Sequence, residues 1–256
     1  MKITSIKTGS TLVSDAVPDR STHRWKLAYT GLFQSRRKRI LLPVKCFYVE
    51  VAGHHILIDA GWSKEVVDHP IKHLGIGLWF ASEPVMQREE AAVNQLKDLP
   101  VDSIYMTHLD SDHASGLNDF IGVPVYASGE EIEAVKKNGM RYGKLTSNIL
   151  INAISFAVDE NAPFGRSADV FGDGSVIAYL TPTHSHGSVI YKINGDNKFA
   201  LIVGDNGYNE EAWKQGILPG PLFHADNMKK CLAWINQQST QNNCCGIYCA
   251  HDSIDR

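Results

Sequence analysis

Several things are scarce in this chain of 256 residues, and each scarcity excludes something. No apolar run approaches the roughly 20 residues that a membrane-spanning helix needs, so a helical membrane protein is not expected. Cysteines number five, with Cys244 and Cys245 adjacent and Cys249 close behind. An odd count without visible pairing fits reduced thiols in a cytoplasmic protein, not a disulfide framework. The formal net charge is only -3, which gives no reason to expect a polyanionic partner. One basic run, Arg36-Arg37-Lys38-Arg39, is short and followed by Ile-Leu-Leu, so it reads as a solvated loop or strand edge. The partner expected is a small-molecule substrate, with neither nucleic acid nor membrane. The first residues do not read as a signal peptide, because Lys7 interrupts any apolar core. With 43% hydrophobic and 21% charged residues, the chain suits one well-buried α/β domain over 1–256.

What is abundant is polar chemistry in one place. Residues 107–117 read T-H-L-D-S-D-H-A-S-G-L, bringing together His108, Asp110, Asp112 and His113. The apolar run Ile104-Tyr105-Met106 ahead of them reads as a short buried strand. The cluster then lies on the loop leaving that strand, where α/β proteins bind ligands. Imidazole and carboxylate groups suit zinc, iron and manganese, and four at this spacing can converge on one or two ions. The plainer alternative is a strand-to-helix turn in which Asp112 caps the helix and the histidines are exposed.

Alternating and apolar runs predict strands near 45–51, 55–59, 102–107, 123–127, 176–180, 189–193, 199–203 and 246–250. Ala52-Gly53 and Asn194-Gly195 predict tight connections, the second a hairpin. Ser82 and Pro84 predict the start of a helix carrying Val85, Ala92, Leu96 and Leu99. Ser128 and Glu131 predict a capping box, and Met228, Cys231, Leu232 and Ile235 an amphipathic helix. Periodicity alone implies a mixed α/β domain.

The cluster at residues 108–113 resembles the H-x-H-x-D-H signature of the metallo-β-lactamase fold superfamily, with Asp110 where a second histidine is usual. Further matches follow in order. Thr181-Pro182-Thr183-His184 looks like the T-P-G-H loop, Val203-Gly204-Asp205 like the bridging-aspartate strand end, and Ala250-His251 like the late histidine. Upstream, Leu57-Ile58-Asp59-Ala60-Gly61 resembles the early L-x-D-x-G element. The resemblance implies a four-layer αββα sandwich and two divalent metal ions, zinc foremost, with iron or manganese as alternatives. It implies that His108, Asp110 and His184 hold one ion, that Asp112, His113 and His251 hold the other, and that Asp205 bridges them. A hydroxide between the metals is then the nucleophile. A carboxylate at Asp110 adds negative charge and leans toward harder ions, as in the flavodiiron branch, which also carries a carboxylate there.

Gly204-Asp205-Asn206-Gly207-Tyr208 is similar to the N-acyl homoserine lactonase branch, as is residues 171–176. That likeness implies hydrolytic opening of a lactone or related cyclic ester, with Asp112 and Tyr208 as catalytic residues. The alternatives are hydrolysis of another ester, thioester or phosphodiester at the same site, a diiron redox protein, or a non-catalytic metal-binding protein. Asp59 reads as a structural acceptor behind the site, His54 and His55 as exposed, and His186 as a loop or supporting histidine. His224 reads as a helix cap. Residues 21–33 and 61–80, with Trp62, Trp79 and Phe80, are expected to supply pocket walls, a plain core role being equally good for Trp62.

Overall fold

Alternation along the central strands sets the layering of the computed structural model, which describes residues 1–142 and 149–253. The strands are β1 (Lys2–Val13), β2 (Ile40–Val51), β3 (His54–Ile58), β4 (Ser82–Val85), β5 (Ser103–Tyr105), β6 (Val125–Ser128), β7 (Ile151–Ile154), β8 (Ala157–Val158), β9 (Arg166–Asp169), β10 (Val176–Leu180), β11 (Val189–Asn194), β12 (Phe199–Gly204) and β13 (Cys244–Cys249). The helices are α1 (Lys64–Asp68), α2 (Pro70–Ala81), α3 (Ala92–Gln95), α4 (Ser111–Ala114), α5 (Gly129–Lys137), α6 (Gly139–Tyr142), α7 (Glu210–Gln215) and α8 (Ala225–Ser239). One sheet runs β4-β1-β2-β3-β5-β6-β7 and the other β13-β12-β11-β10-β9-β8.

Successive side chains of a strand point to opposite faces, and here both faces are covered. On β3, Ile56 and Ile58 enter the core between the sheets, where they join Phe47 and Val49 of β2 and Tyr191 and Ile193 of β11. Leu57 points the other way, into a cluster with Leu117 and Ala134. On β12, Ile202 faces the inter-sheet core, while Leu201 and Val203 face Met228, Cys231, Leu232 and Ile235 of α8. The result is two mixed sheets flanked by helices, the layered sandwich that the resemblance implied.

Parallel pairing fixes where chemistry can collect. β3, β5, β6 and β7 run parallel, and so do β12 and β13. Their carboxyl ends therefore open onto a common rim, the usual ligand side of such sheets. The Ala52-Gly53 turn closes the β2–β3 hairpin with both residues left-handed, at φ 50 and 82, as a two-residue hairpin loop requires. The Asn194-Gly195 hairpin also forms, but through a longer loop closed by Gly195 N donating to Lys198 O at 2.7 Å.

The helix expected from Ser82 is not there. Ser82–Val85 is instead β4, antiparallel to the end of β1, with Ser10 opposite Val85 and Val13 opposite Ser82. An uncovered edge of β1 wins over helical periodicity, and Pro84 is tolerated because the new strand is itself an edge. Ala92 and Leu96 are nonetheless buried, around the short α3. β1, β7, β8 and β9 had no clear signal in the sequence. Ile202→Ala should lower stability by about 2–5 kcal/mol, the range for emptying a fully packed aliphatic site. Denaturant unfolding with an unchanged m-value checks this.

Candidate metal centre

Asp59 ends β3 in a left-handed conformation (φ 60) that non-glycine residues seldom adopt. The turn aims its buried carboxylate along the neighbouring β5–α4 segment. Oδ1 accepts from Thr107 N at 2.7 Å, and Oδ2 accepts from Thr107 Oγ1 at 2.8 Å. Oδ2 also lies 2.8 Å from His113 Nδ1. Behind it the backbones nearly touch: a Cβ on Gly116 would meet Ala60 O at 2.2 Å, so only glycine fits there.

These bonds fix histidine tautomers. A carboxylate only accepts, so His113 carries its proton on Nδ1. Thr107 gives its hydroxyl proton to Asp59, so its oxygen accepts from His108 Nδ1, 3.0 Å away. His251 Nδ1 lies 2.8 Å from Pro43 O, and a carbonyl likewise only accepts. All three rings therefore keep Nδ1 protonated and aim Nε2 inward, where a cation would displace any second proton, the arrangement that metal-binding histidines use. His113 Nε2 and His251 Nε2 each lie 3.2 Å from Asp205 Oδ1. His251 Nε2 is also 3.5 Å from Asp112 Oδ2, and His184 Nε2 is 3.7 Å from Asp205 Oδ2.

The donor set fits metal. His108 Nε2, His113 Nε2 and Asp205 Oδ1 are buried without a hydrogen-bond partner among the described residues. A buried orphan of this kind costs about 1–3 kcal/mol, and three around one point indicate an absent cation more readily than three separate defects. Two triads have ligand atoms within 4.8 Å of one another: His108, His184 and Asp205, and Asp112, His113 and His251. Asp205 sits between them. Burial would raise its carboxyl pKa, but His251 and His113 override that and hold it well below the usual carboxylate range.

Asp110, expected as a ligand of the first ion, reaches the site, with Oδ2 2.9 Å from His184 Nε2 and 3.5 Å from His108 Nε2. Arg141 of α6 clamps both its oxygens, Nε to Oδ1 at 2.7 Å and Nη2 to Oδ2 at 2.8 Å. The first triad closes without it. Burial alone would raise the Asp110 carboxyl; Arg141, His108 and His184 hold it well below its ordinary range. Nothing in the sequence pointed to Arg141, which is far from any motif.

Glu131 was read only as half of a capping box. Ser128 Oγ does accept from Glu131 N at 3.1 Å. The fully buried carboxylate, however, ties the two ligand-bearing loops together. It accepts from Leu109 N at 3.1 Å, Ser185 Oγ at 2.7 Å and Gly187 N at 3.0 Å. Tyr208 Oη donates to Asp205 Oδ2 at 2.8 Å, and its ring stacks on His251. Burial and then Asp205 raise the Tyr208 phenol well above its ordinary pKa, so it stays protonated.

A cavity of about 800 Å³ lies over the centre, floored by Asp112, His184, Asp205, Tyr208 and His251. Its walls include Tyr29, Thr30, Ile71, Leu74 and Leu78, from the two segments expected to supply them. The aromatics named in advance do not take part. Trp62 is core, packed with Val44 and Val66, Trp79 packs on that cluster, and Phe80 lies beneath Arg39. His186 is exposed and packs on Phe223. His54 and His55, expected to be exposed, are half-buried, one stacked on Phe171 and the other beside the Tyr48 hydroxyl. His224 caps α8 through Nδ1, as its position suggested.

The profile of the Metallo-beta-lactamase superfamily matches residues 39–240. The chain is 26% identical over 204 residues to N-acyl homoserine lactonase AttM of Rhizobium radiobacter, covering 71% of each chain. It superposes with TM-score 0.75 on an N-acyl homoserine lactone hydrolase solved with N-hexanoyl-L-homoserine at its catalytic metal centre, at 20% identity, covering 98% of this chain and 93% of that one. A dizinc quorum-quenching lactonase, AidC, superposes at 0.62 with 13% identity, covering 98% and 89%.

The Arg141 clamp decides what a substitution at Asp110 does. Asp110→His, which supplies the commoner residue, should weaken zinc binding about tenfold, because it leaves a guanidinium without its carboxylate beside a dication. Asp110→His with Arg141→Met should recover that loss. Competition with a chromophoric chelator measures both, and tighter binding in the single variant would show that the ion pair does not govern the site's charge.

Proposed function

This chain belongs to the metallo-beta-lactamase superfamily, and within it we propose a metal-dependent hydrolase that opens a lactone or related cyclic ester of the N-acyl homoserine lactone kind. The observation that carries the reading is Tyr208. Its protonated phenol sits 2.8 Å from Asp205, on the floor of a cavity large enough for an acylated ring. The likeness to lactonases, one of them holding an acyl-homoserine product, supports it.

In this reading His108, His184 and Asp205 would hold one ion and Asp112, His113 and His251 the other, with Asp205 between the two sets. Zinc is the ion the set would take. Arg141 neutralises Asp110, so the triads offer four imidazoles and two carboxylates, a set that suits zinc. When bound, such ions supply a nucleophile from water near neutral pH and polarise the ester carbonyl. The chain's own groups do the rest. Tyr208 turns its hydrogen bond from Asp205 to the oxyanion that develops on the acyl carbon. Asp112 is less enclosed than Asp205, with side-chain exposure of 16% against 5%. It passes a proton from the attacking water to the departing ring oxygen, leaving an open-chain hydroxy acid. Asp110 gave the redox alternative its motive, and its pairing with Arg141 removes that motive. None of the five cysteines is joined in a disulfide among the described residues, which supports a reducing, cytoplasmic setting.

Elemental analysis should find about two transition-metal ions per chain, by the ligand count; less than half an ion would overturn the binuclear reading. In a panel of lactones, thioesters and phosphodiesters, turnover should be highest on lactones. Tyr208→Phe should lower kcat on the best lactone roughly tenfold, less than the 10²–10³ of a sole oxyanion donor because metal shares the charge. Metal content should not change. Unaltered kcat would remove the reason for choosing a lactone over other esters.

A further inference from the structure

The rim of the cavity carries a surface that hydrolysis does not use. Between Arg24 and Arg39 the chain has six arginines and lysines and no carboxylate. Arg36 pairs with Glu83 and Arg39 packs over Phe80, whereas Arg24, Lys26, Arg37 and Lys38 are exposed and none is in an ion pair among the described residues. Interleaved with them, Trp25, Leu27, Leu32 and Phe33 face solvent. Phe33 is 92% exposed and held at φ 63, a left-handed conformation that a bulky aromatic rarely adopts. Its ring lies 5.9 Å from that of Trp25. Burial does not explain a strained aromatic presented to water; a partner does. Beside the pair is a second cavity of about 300 Å³, lined by Arg20, His23, Arg24, Trp25, Lys26 and Tyr29. The nearby acids are already engaged, Asp15 with His23 and Gln34 and Asp19 with Ser21. Tyr29 also lines the main cavity, so the two openings adjoin. From α2, Ile71 lines the main cavity too, and it and Ile76 are exposed apolar residues of that helix.

We propose that this face docks on an anionic phospholipid surface. Trp25, Leu27, Leu32 and Phe33 enter the boundary of headgroups and acyl chains, the exposed cations meet phosphates, and the small cavity receives a headgroup. Exposed aromatic and aliphatic residues among lysines and arginines are the composition that membrane interfaces select. A second copy of the chain is a poor fit, because two-fold pairing through this face sets cations against cations. Nucleic acid would meet the charges and stack on Trp25 and Phe33, but has no use for Leu27 and Leu32. The basic run, expected to be a solvated loop or strand edge, is one flank of this face, and the proposal departs from the expectation of no membrane partner. The docking argument does not depend on the lactone reading, and its test reads lipid binding apart from turnover.

The test is co-sedimentation of the full metal-loaded chain with vesicles of phosphatidylcholine, with and without phosphatidylglycerol. The expected result is binding to the anionic vesicles alone, weakened by salt. Arg37→Ala and Lys38→Ala should each lower partitioning about fivefold, and Phe33→Ala about tenfold. All three should keep the native melting temperature and turnover of a freely dissolved ester. If Phe33→Ala fails to fold, the two charge variants still decide. Equal binding to uncharged vesicles, no binding, or variants that bind like the native chain would overturn the proposal. So would a concentration-dependent dimer abolished by Phe33→Ala, tighter binding to single-stranded DNA, or full competition by soluble glycerol phosphate at matched phosphate concentration.

Discussion

The centre depends on the buried carboxylate of Asp59. It is fully enclosed, and an ion so placed is expensive unless hydrogen bonds compensate it. Three donors do so: Thr107 N, Thr107 Oγ1 and His113 Nδ1. The same bonds hold the protons of His113 and, through the threonine hydroxyl, of His108 on the outward nitrogen of each ring. One residue thus aims a histidine of each triad inward. Its left-handed backbone is the local strain this requires, and the inter-sheet core beside Ile58 is what holds that strain in place.

Charge is the second constraint. Asp110, Asp112 and Asp205 converge on one rim, where three unopposed carboxylates would repel. Each has a local answer: Arg141 for Asp110, and His251 for Asp112 and Asp205, the latter also contacting His113 and the Tyr208 hydroxyl. Without Arg141, an aspartate in place of a histidine shifts the centre toward harder ions. With it, the pair is neutral overall, as a histidine is, and the centre keeps the balance of a histidine-rich one. The substitution and its compensation lie in different segments, β5–α4 and α6, so neither can be judged alone.

This explains which parts were legible in the sequence. The cluster at residues 108–113 could be read because a short apolar run followed by a polar turn is a local pattern, whereas His184, Asp205 and His251 were reached only through motifs that resemble the family's. Asp59 was reached in the same way, through its likeness to the early L-x-D-x-G element. Arg141 and the clamping role of Glu131 could not be read, since their meaning arises from contacts across the fold and no periodicity encodes them. β4 was misread because an open sheet edge decided its state, not its own propensity. Trp62 was left open between wall and core because hydrophobicity does not distinguish a pocket lining from a core, and it is core.

The division between centre and walls bears on specificity. The centre is built from strand ends held by two packed sheets, and such positions tolerate little change. The walls come from Tyr29 and Thr30 and from α2, whose helix is broken at Gly75 (φ 75). Tyr29 and Thr30 precede residue 39, where the region shared with the family begins. A scaffold of this kind keeps its hydrolytic chemistry while the substrate it admits is set by loops that vary freely. What the cavity over the metal-binding rim admits is therefore set by the residues that line it from 17–30 and 71–82.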